Sequence, residues 1–123
     1  MKPEIKELWI NALPNYRQGK QCLRDRDDEF CCLGVLCDIY VQTGNAKWDV
    51  YRLVNQEYGY GILGNTVFLP DEIVEWAGLD NESPFYIDPE HPEARYDGVV
   101  YLSTLNDKGY TFEEIKQVIK KHF

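Results

Sequence analysis

Apolar side chains take up helical spacing from the start of the chain. Ile5, Leu8, Trp9 and Leu13 share one face, with Lys2, Lys6 and Glu7 opposite them. The spacing predicts a first helix that Pro14 stops, because the residue before a proline is pushed out of the helical region. Residues 15–26 are polar and basic, with Gly19 as a turn and Gln21-Cys22-Leu23 as a candidate short strand. The pattern then changes kind. Residues 30–41 are apolar on every side except at Asp38, so a helix there must be surrounded by protein. Asp27, Asp28 and Glu29 lie where acids favour a helix start, and Gly44 lies where a glycine ends one. A buried strand competes for the first half of this run, but its length favours a helix.

Residues 45–68 carry aromatics and glycines with no helical period, which predicts loops around short strands, one of them over 66–69. Pro70-Asp71-Glu72 opens a short helix that buries Ile73, Trp76 and Ala77 and closes at Gly78. Residues 80–97 are rich in proline and acids and read as an exposed acidic loop. A helical hairpin follows. Its first helix spans 99–107 and ends at Gly109; Thr111 and Glu114 form a capping box for the second. Ile115, Val118 and Ile119 face the core there, and Lys116, Lys120 and Lys121 suit the negative end of the helix dipole.

The 123 residues suit one domain, and a hydrophobic fraction of 44% argues against a disordered chain. The predicted class is therefore α+β: a single helix-rich domain with a buried central helix, a few short strands and a C-terminal helical hairpin. Acids outnumber bases 21 to 13, for a net charge of −8, which opposes binding to a nucleic acid duplex or an anionic membrane. Lys2, Glu4, Lys6 and Glu7 interrupt any apolar export signal, and no apolar run is long enough to span a bilayer. A cytoplasmic location follows as the expectation. Cys22, Cys31, Cys32 and Cys37 are then expected to be reduced thiols.

Three features bear on chemistry. Gly59-Tyr60-Gly61-Ile62-Leu63-Gly64 spells GxGxxG, but Pro70 follows an extended stretch where a dinucleotide fold needs a helix, so these are read as turn glycines. The cysteines have no paired zinc-ligand spacing, and small cysteines on an apolar helix are most simply core residues; no metal or cofactor is predicted. Arg17, Lys20, Arg24 and Arg26 cluster before the central helix of an otherwise acidic chain. Guanidinium groups near a helix start make an anion site, and Trp48 with nearby tyrosines would stack on a base. Arg17, Lys20, Arg24 and Trp48 are the predicted ligand-binding residues. The competing reading pairs these cations with Asp25, Asp27 and Asp28.

The stretch from Phe30-Cys31-Cys32-Leu33-Gly34 through Tyr40 to Gly44 resembles the nucleophile helix of papain-like cell-wall amidases of the NlpC type. That resemblance implies a cysteine hydrolase with Cys32 as nucleophile and His91 as base, although Cys31 and Leu33 replace that family's flanking Asp and Ser. Over nearly the whole chain, a second resemblance is carried by Leu8 to Leu13, Tyr16-Arg17-Gln18-Gly19-Lys20, Phe30 to Asp38, Leu69 to Leu79, and Leu105 to Phe112 with Ile115. The chain is similar there to small uncharacterised proteins of phages, prophages and actinobacteria. This implies an intracellular accessory role, such as antagonism of host defence, and brings no catalytic residues. The expected function is a non-catalytic binding protein. It would sequester an anionic small molecule such as a signalling nucleotide through the basic segment, or a host protein through the acidic loop. A cysteine hydrolase using Cys32 and His91 and a small structural phage component are the alternatives. The aromatic-rich composition also allows a homo-oligomer.

Overall fold

A computed structural model describes residues 1–53 and 55–123. The fold is α+β. In chain order it contains α1 (Pro3–Ala12), a 3₁₀ turn (Leu13–Asn15), β1 (Arg24–Asp25), α2 (Cys32–Gln42), β2 (Trp48–Arg52) and β3 (Tyr58–Ile62). Then come α3 (Asp71–Ala77), β4 (Phe85–Ile87), a second 3₁₀ turn (Tyr96–Gly98), β5 (Val99–Tyr101), α4 (Leu102–Asp107) and α5 (Phe112–His122). The strands form a three-stranded antiparallel sheet in the order β1-β3-β2 and a separate β4-β5 pair.

The central helix is buried as its composition requires, with every residue from Cys32 to Cys37, together with Ile39 and Tyr40, removed from solvent. It begins at Cys32, later than the apolar run does. Cys31 is the cap, its Sγ accepting a hydrogen bond from the Gly34 N–H at 3.4 Å. Phe30 remains extended, bridging to Gln18 and Arg24. Ile5 and Trp9 from α1, Leu13 from the first 3₁₀ turn, Leu102 and Leu105 from α4, and Ile115 and Ile119 from α5 join α2 in one hydrophobic cluster. Trp9 is tied to the helix by its indole N–H, which donates to the Cys32 carbonyl at 2.9 Å.

The segment before α2 lies so close to it that only glycine fits. A Cβ on Gly34 would stand 1.8 Å from the Leu23 carbonyl oxygen. The Leu23 backbone is itself fixed, its N–H donating to the Thr66 carbonyl at 2.7 Å and its carbonyl accepting from the Cys31 N–H at 3.3 Å.

A polar hub closes the same region. Asn106 is 0% exposed. Its Oδ1 accepts from the Cys32 N–H at 3.2 Å and from Gln18 Nε2 at 3.1 Å, while its Nδ2 donates to the Gly19 carbonyl at 2.7 Å. Gln18 extends the network by donating to the Tyr110 carbonyl at 2.7 Å and accepting from the Phe112 N–H at 3.1 Å. The unsatisfied N–H at the start of α2 and the α4–α5 connection are thus served by two side chains.

Several local expectations are corrected. Residues 21–23 are not a strand: Gln21 has φ 69° and pairing begins at Arg24. Residues 66–69 form no strand either; the hairpin lies in β2 and β3. Gly59 and Gly61 sit within β3 rather than in turns, paired with Tyr51 and Asp49 of β2, and Cβ atoms there would meet Leu53 Cδ1 at 2.4 Å and Tyr51 Cδ2 at 2.7 Å. Gly64, with φ +84°, is a turn residue. The predicted helix over 99–107 divides into β5 and α4, and β5 finds its partner, β4, inside the segment read as a loop. Val99-Val100-Tyr101 is β-branched and aromatic, and strand pairing wins over helix there. The capping box of α5 is present, the Thr111 hydroxyl accepting from the Glu114 N–H at 3.2 Å and the Glu114 carboxylate from the Thr111 N–H at 3.1 Å.

Candidate functional site

The basic segment wraps the start of α2. It is held by the Phe30 N–H donating to the Arg17 carbonyl at 2.8 Å and the Gly19 N–H donating to the Phe30 carbonyl at 2.7 Å. This path sends its cations to different places. Arg24 turns onto the three-stranded sheet, where its Cζ lies 3.9 Å from the Tyr60 ring centre, 5.4 Å from Phe30 and 5.5 Å from Trp48. Asp28 closes that cage, accepting from Arg24 Nε at 2.9 Å and Nη2 at 2.7 Å. Two predicted ligand-binding residues, Arg24 and Trp48, are therefore brought together, with the guanidinium already neutralised and the rings already covered.

Asp38, the one acid in the apolar run, anchors the other side of the cage. Its Oδ1 accepts from Trp48 Nε1 at 2.8 Å and its Oδ2 from the Tyr16 hydroxyl at 2.5 Å. Burial and the adjoining Asp38 carboxylate push the Tyr16 hydroxyl far above its ordinary pKa. Arg17 is separate from this cluster and pairs with Glu29 at 3.1 Å on the surface.

Lys20 goes elsewhere again. It forms no salt bridge among the described residues and lines a cavity of about 320 Å³. Lys20, Gln21 and Cys22 make one wall; Leu53 and Asn55, just beyond β2, make the second; Thr66 and Val67 make the third. Leu53 and Val67 give the cavity an apolar body, whereas Lys20, Gln21, Asn55 and Thr66 bring polar ends. No carboxylate is among these lining residues. The wall is held in an uncommon backbone conformation: Gln21 has φ 69°, and its N–H donates to Asp107 Oδ1 at 2.8 Å. Non-glycine residues in this region tend to mark sites whose surroundings fix them.

Within the cavity, burial raises the Cys22 thiol to about 11, with Asp25 and Asp107 adding to the shift. The other thiols are core groups. Cys32 is 0% exposed and points its Sγ at the Leu102 carbonyl, 3.8 Å away. Burial raises Cys31 to about 12 and holds Cys32 and Cys37 well above the ordinary thiol range. His91 shares no hydrogen bond with Cys32 among the described residues; its Nδ1 accepts from the Glu93 N–H at 3.0 Å, and its ring lies beside Tyr86 and Tyr110.

These environments predict a labelling pattern. Iodoacetamide on the native protein should modify Cys22 alone, slowly at pH 7 and faster as pH rises towards 11, because the thiolate is the nucleophile. Cys31, Cys32 and Cys37 should react only after denaturation. Mass spectrometry of the labelled peptides reads this directly, and rapid native modification of Cys32 would contradict it.

Residues 1–123 are matched by the model of the family described as Domain of unknown function (DUF8296). The chain belongs to that family. No curated protein matches it, and no solved structure does. In this DUF8296 domain no helix among the described residues is long and apolar enough to cross a membrane. No group of three or more His, Cys, Asp or Glu residues among them is placed to hold a metal ion. The Lys20 cavity was only half legible: Lys20 stood out as a base in an acidic chain, but its opposite walls come from Leu53, Asn55, Thr66 and Val67, which are uncharged.

Proposed function

We propose that this protein is a non-catalytic binding protein that holds a small anionic molecule in the Lys20 cavity. One observation carries the reading. Among the described residues, Lys20 brings an ammonium group without a salt-bridge partner to a cavity whose lining includes no carboxylate, in a chain whose net charge is −8. A single cation beside Leu53 and Val67 suits a ligand with one anionic group on an apolar body. Trp48 and Tyr60 face Arg24 instead of this cavity, so a nucleotide relying on base stacking is served less well than a compact organic anion. The burial of Cys32 supports a binding role over hydrolysis, since a working thiol nucleophile must be reached by its substrate. In its setting, the protein acts as a cytoplasmic accessory factor of the phage type that sequesters such a molecule.

The test is release of a bound ligand. Native protein is incubated with a low-mass metabolite extract, washed and denatured, and the supernatant is analysed by mass spectrometry. An intact anion should appear from the wild type and from Arg17→Glu. It should fall at least about tenfold in Lys20→Ala, as expected for one lost charge-assisted hydrogen bond. Equal recovery from Lys20→Ala, or none from the wild type, would overturn the proposal.

A further inference from the structure

A second surface, independent of the cavity, lies on the small sheet. Among the described residues β4 has one partner, β5, in the register Phe85↔Tyr101, Tyr86↔Val100 and Ile87↔Val99. The pair is bracketed by the Leu102 N–H donating to the Pro84 carbonyl at 3.0 Å and the Asp88 N–H donating to the Gly98 carbonyl at 2.8 Å. Antiparallel bonding alternates, so the exchanged bonds fall at Tyr86↔Val100, and the N–H and C=O of Phe85 and Ile87 point away from β5. Neither residue forms a backbone hydrogen bond outside the strand pair among the described residues.

The side chains divide in the same way. Tyr86 is buried, stacked on His122 with ring centres 4.0 Å apart. Phe85 and Ile87 face out, 39% and 65% exposed, and the Phe85 ring lies 5.5 Å from that of Tyr101, which is also exposed. A cavity of about 200 Å³ opens beside Phe85, with Leu79, Phe123 and Asp80 in its walls. Native sheets usually cover or charge such an edge. Here the flanking charge is predominantly negative. Asp80 and Glu82 precede β4, Asp88, Glu90, Glu93 and Asp97 follow it, and Arg95 is the only Lys or Arg between residues 80 and 97. None of these acids forms a salt bridge among the described residues.

We infer that β4 is a docking edge for an extended, basic segment of a partner protein, which joins the β4–β5 pair as a third strand. Main-chain bonds to Phe85 and Ile87 supply the attachment. Apolar side chains cover Phe85, Ile87 and Tyr101, and Lys or Arg side chains lie among the flanking acids, one stem reaching the cavity beside Asp80. This is strand addition with charge-selected partners.

The probe is an acetylated peptide of alternating Lys and Val, about eight residues long to span a short strand and its flanks. Fluorescence anisotropy reads affinity, and amide hydrogen exchange reads the site. The expected result is binding that weakens with salt, new protection at the Phe85 and Ile87 amides, and at least about tenfold weaker binding to Ile87→Lys. Ile87 is largely exposed, so that variant should keep the fold, checked by an unchanged circular dichroism melt. A peptide N-methylated at alternate amides, unable to donate along the edge, should not bind. No binding at about 1 mM peptide, equal binding of a Glu–Val peptide or the N-methylated peptide, or protection elsewhere would overturn the inference. So would a dimer of the free protein with β4 protected, because the edge would then belong to a second copy.

Discussion

Gly34→Ala should cost about 4 kcal/mol or abolish folding, although alanine is the better helix former by about 1 kcal/mol. The added Cβ would meet the Leu23 oxygen at 1.8 Å and its carbonyl carbon at 2.7 Å. Both are backbone atoms, so no side-chain rotation relieves the clash. Leu23 cannot retreat without losing its bonds to Thr66 and Cys31. α2 must therefore move away from the segment that caps it and builds the cavity wall. Gly44→Ala is the control: nothing lies within 4 Å of its Cβ, and only its φ of +87° opposes the change. It should cost about 1 kcal/mol. Urea unfolding of the two variants separates the effects, and a Gly34→Ala protein as stable as Gly44→Ala would refute this packing.

Asn106→Leu should cost about 3 kcal/mol by urea unfolding, although it keeps the branching and heavy-atom count of the side chain. The loss is electrostatic. It strands the Cys32 N–H, the Gly19 carbonyl and one Gln18 bond in a region closed to water, and each buried orphan costs about 1–3 kcal/mol before relaxation. Gln18→Leu should be milder, because it leaves Asn106 bonded to both backbone groups and the Tyr110 carbonyl and Phe112 N–H it releases are only part-buried. If Asn106→Leu proved neutral, the hub would not be what holds the α4–α5 connection against α2.

What could be read from the sequence follows from what each residue's role depends on. α2 was legible because an all-round apolar run has one outlet, a buried helix, and α5 because its capping box is local. Pro70 and Gly78 marked α3 for the same reason. Residues 99–101 were not legible as a strand, since Val-Val-Tyr-Leu carries no period and its partner strand lies in an acid-rich stretch. Asn106 gave no signal either: its bonds reach Cys32 and Gly19, 74 and 87 positions away. The basic cluster was visible as composition, but chain direction through the Gly19 and Gln21 turns decided which cation met which acid. Arg24 met Asp28 and three rings, Arg17 met Glu29, and Lys20 came to line a cavity.

Cys22 makes that cavity measurable in place. It lines the wall beside Lys20 and is the thiol expected to react in the native state, so its alkylation rate reports whether the space is filled. The rate of iodoacetamide modification at Cys22 should fall when the protein is first saturated with a thiol-depleted metabolite extract, and should be restored by Lys20→Ala. An unchanged rate in the extract, with Cys22 reacting as in buffer, would contradict occupancy of the cavity and with it the binding role.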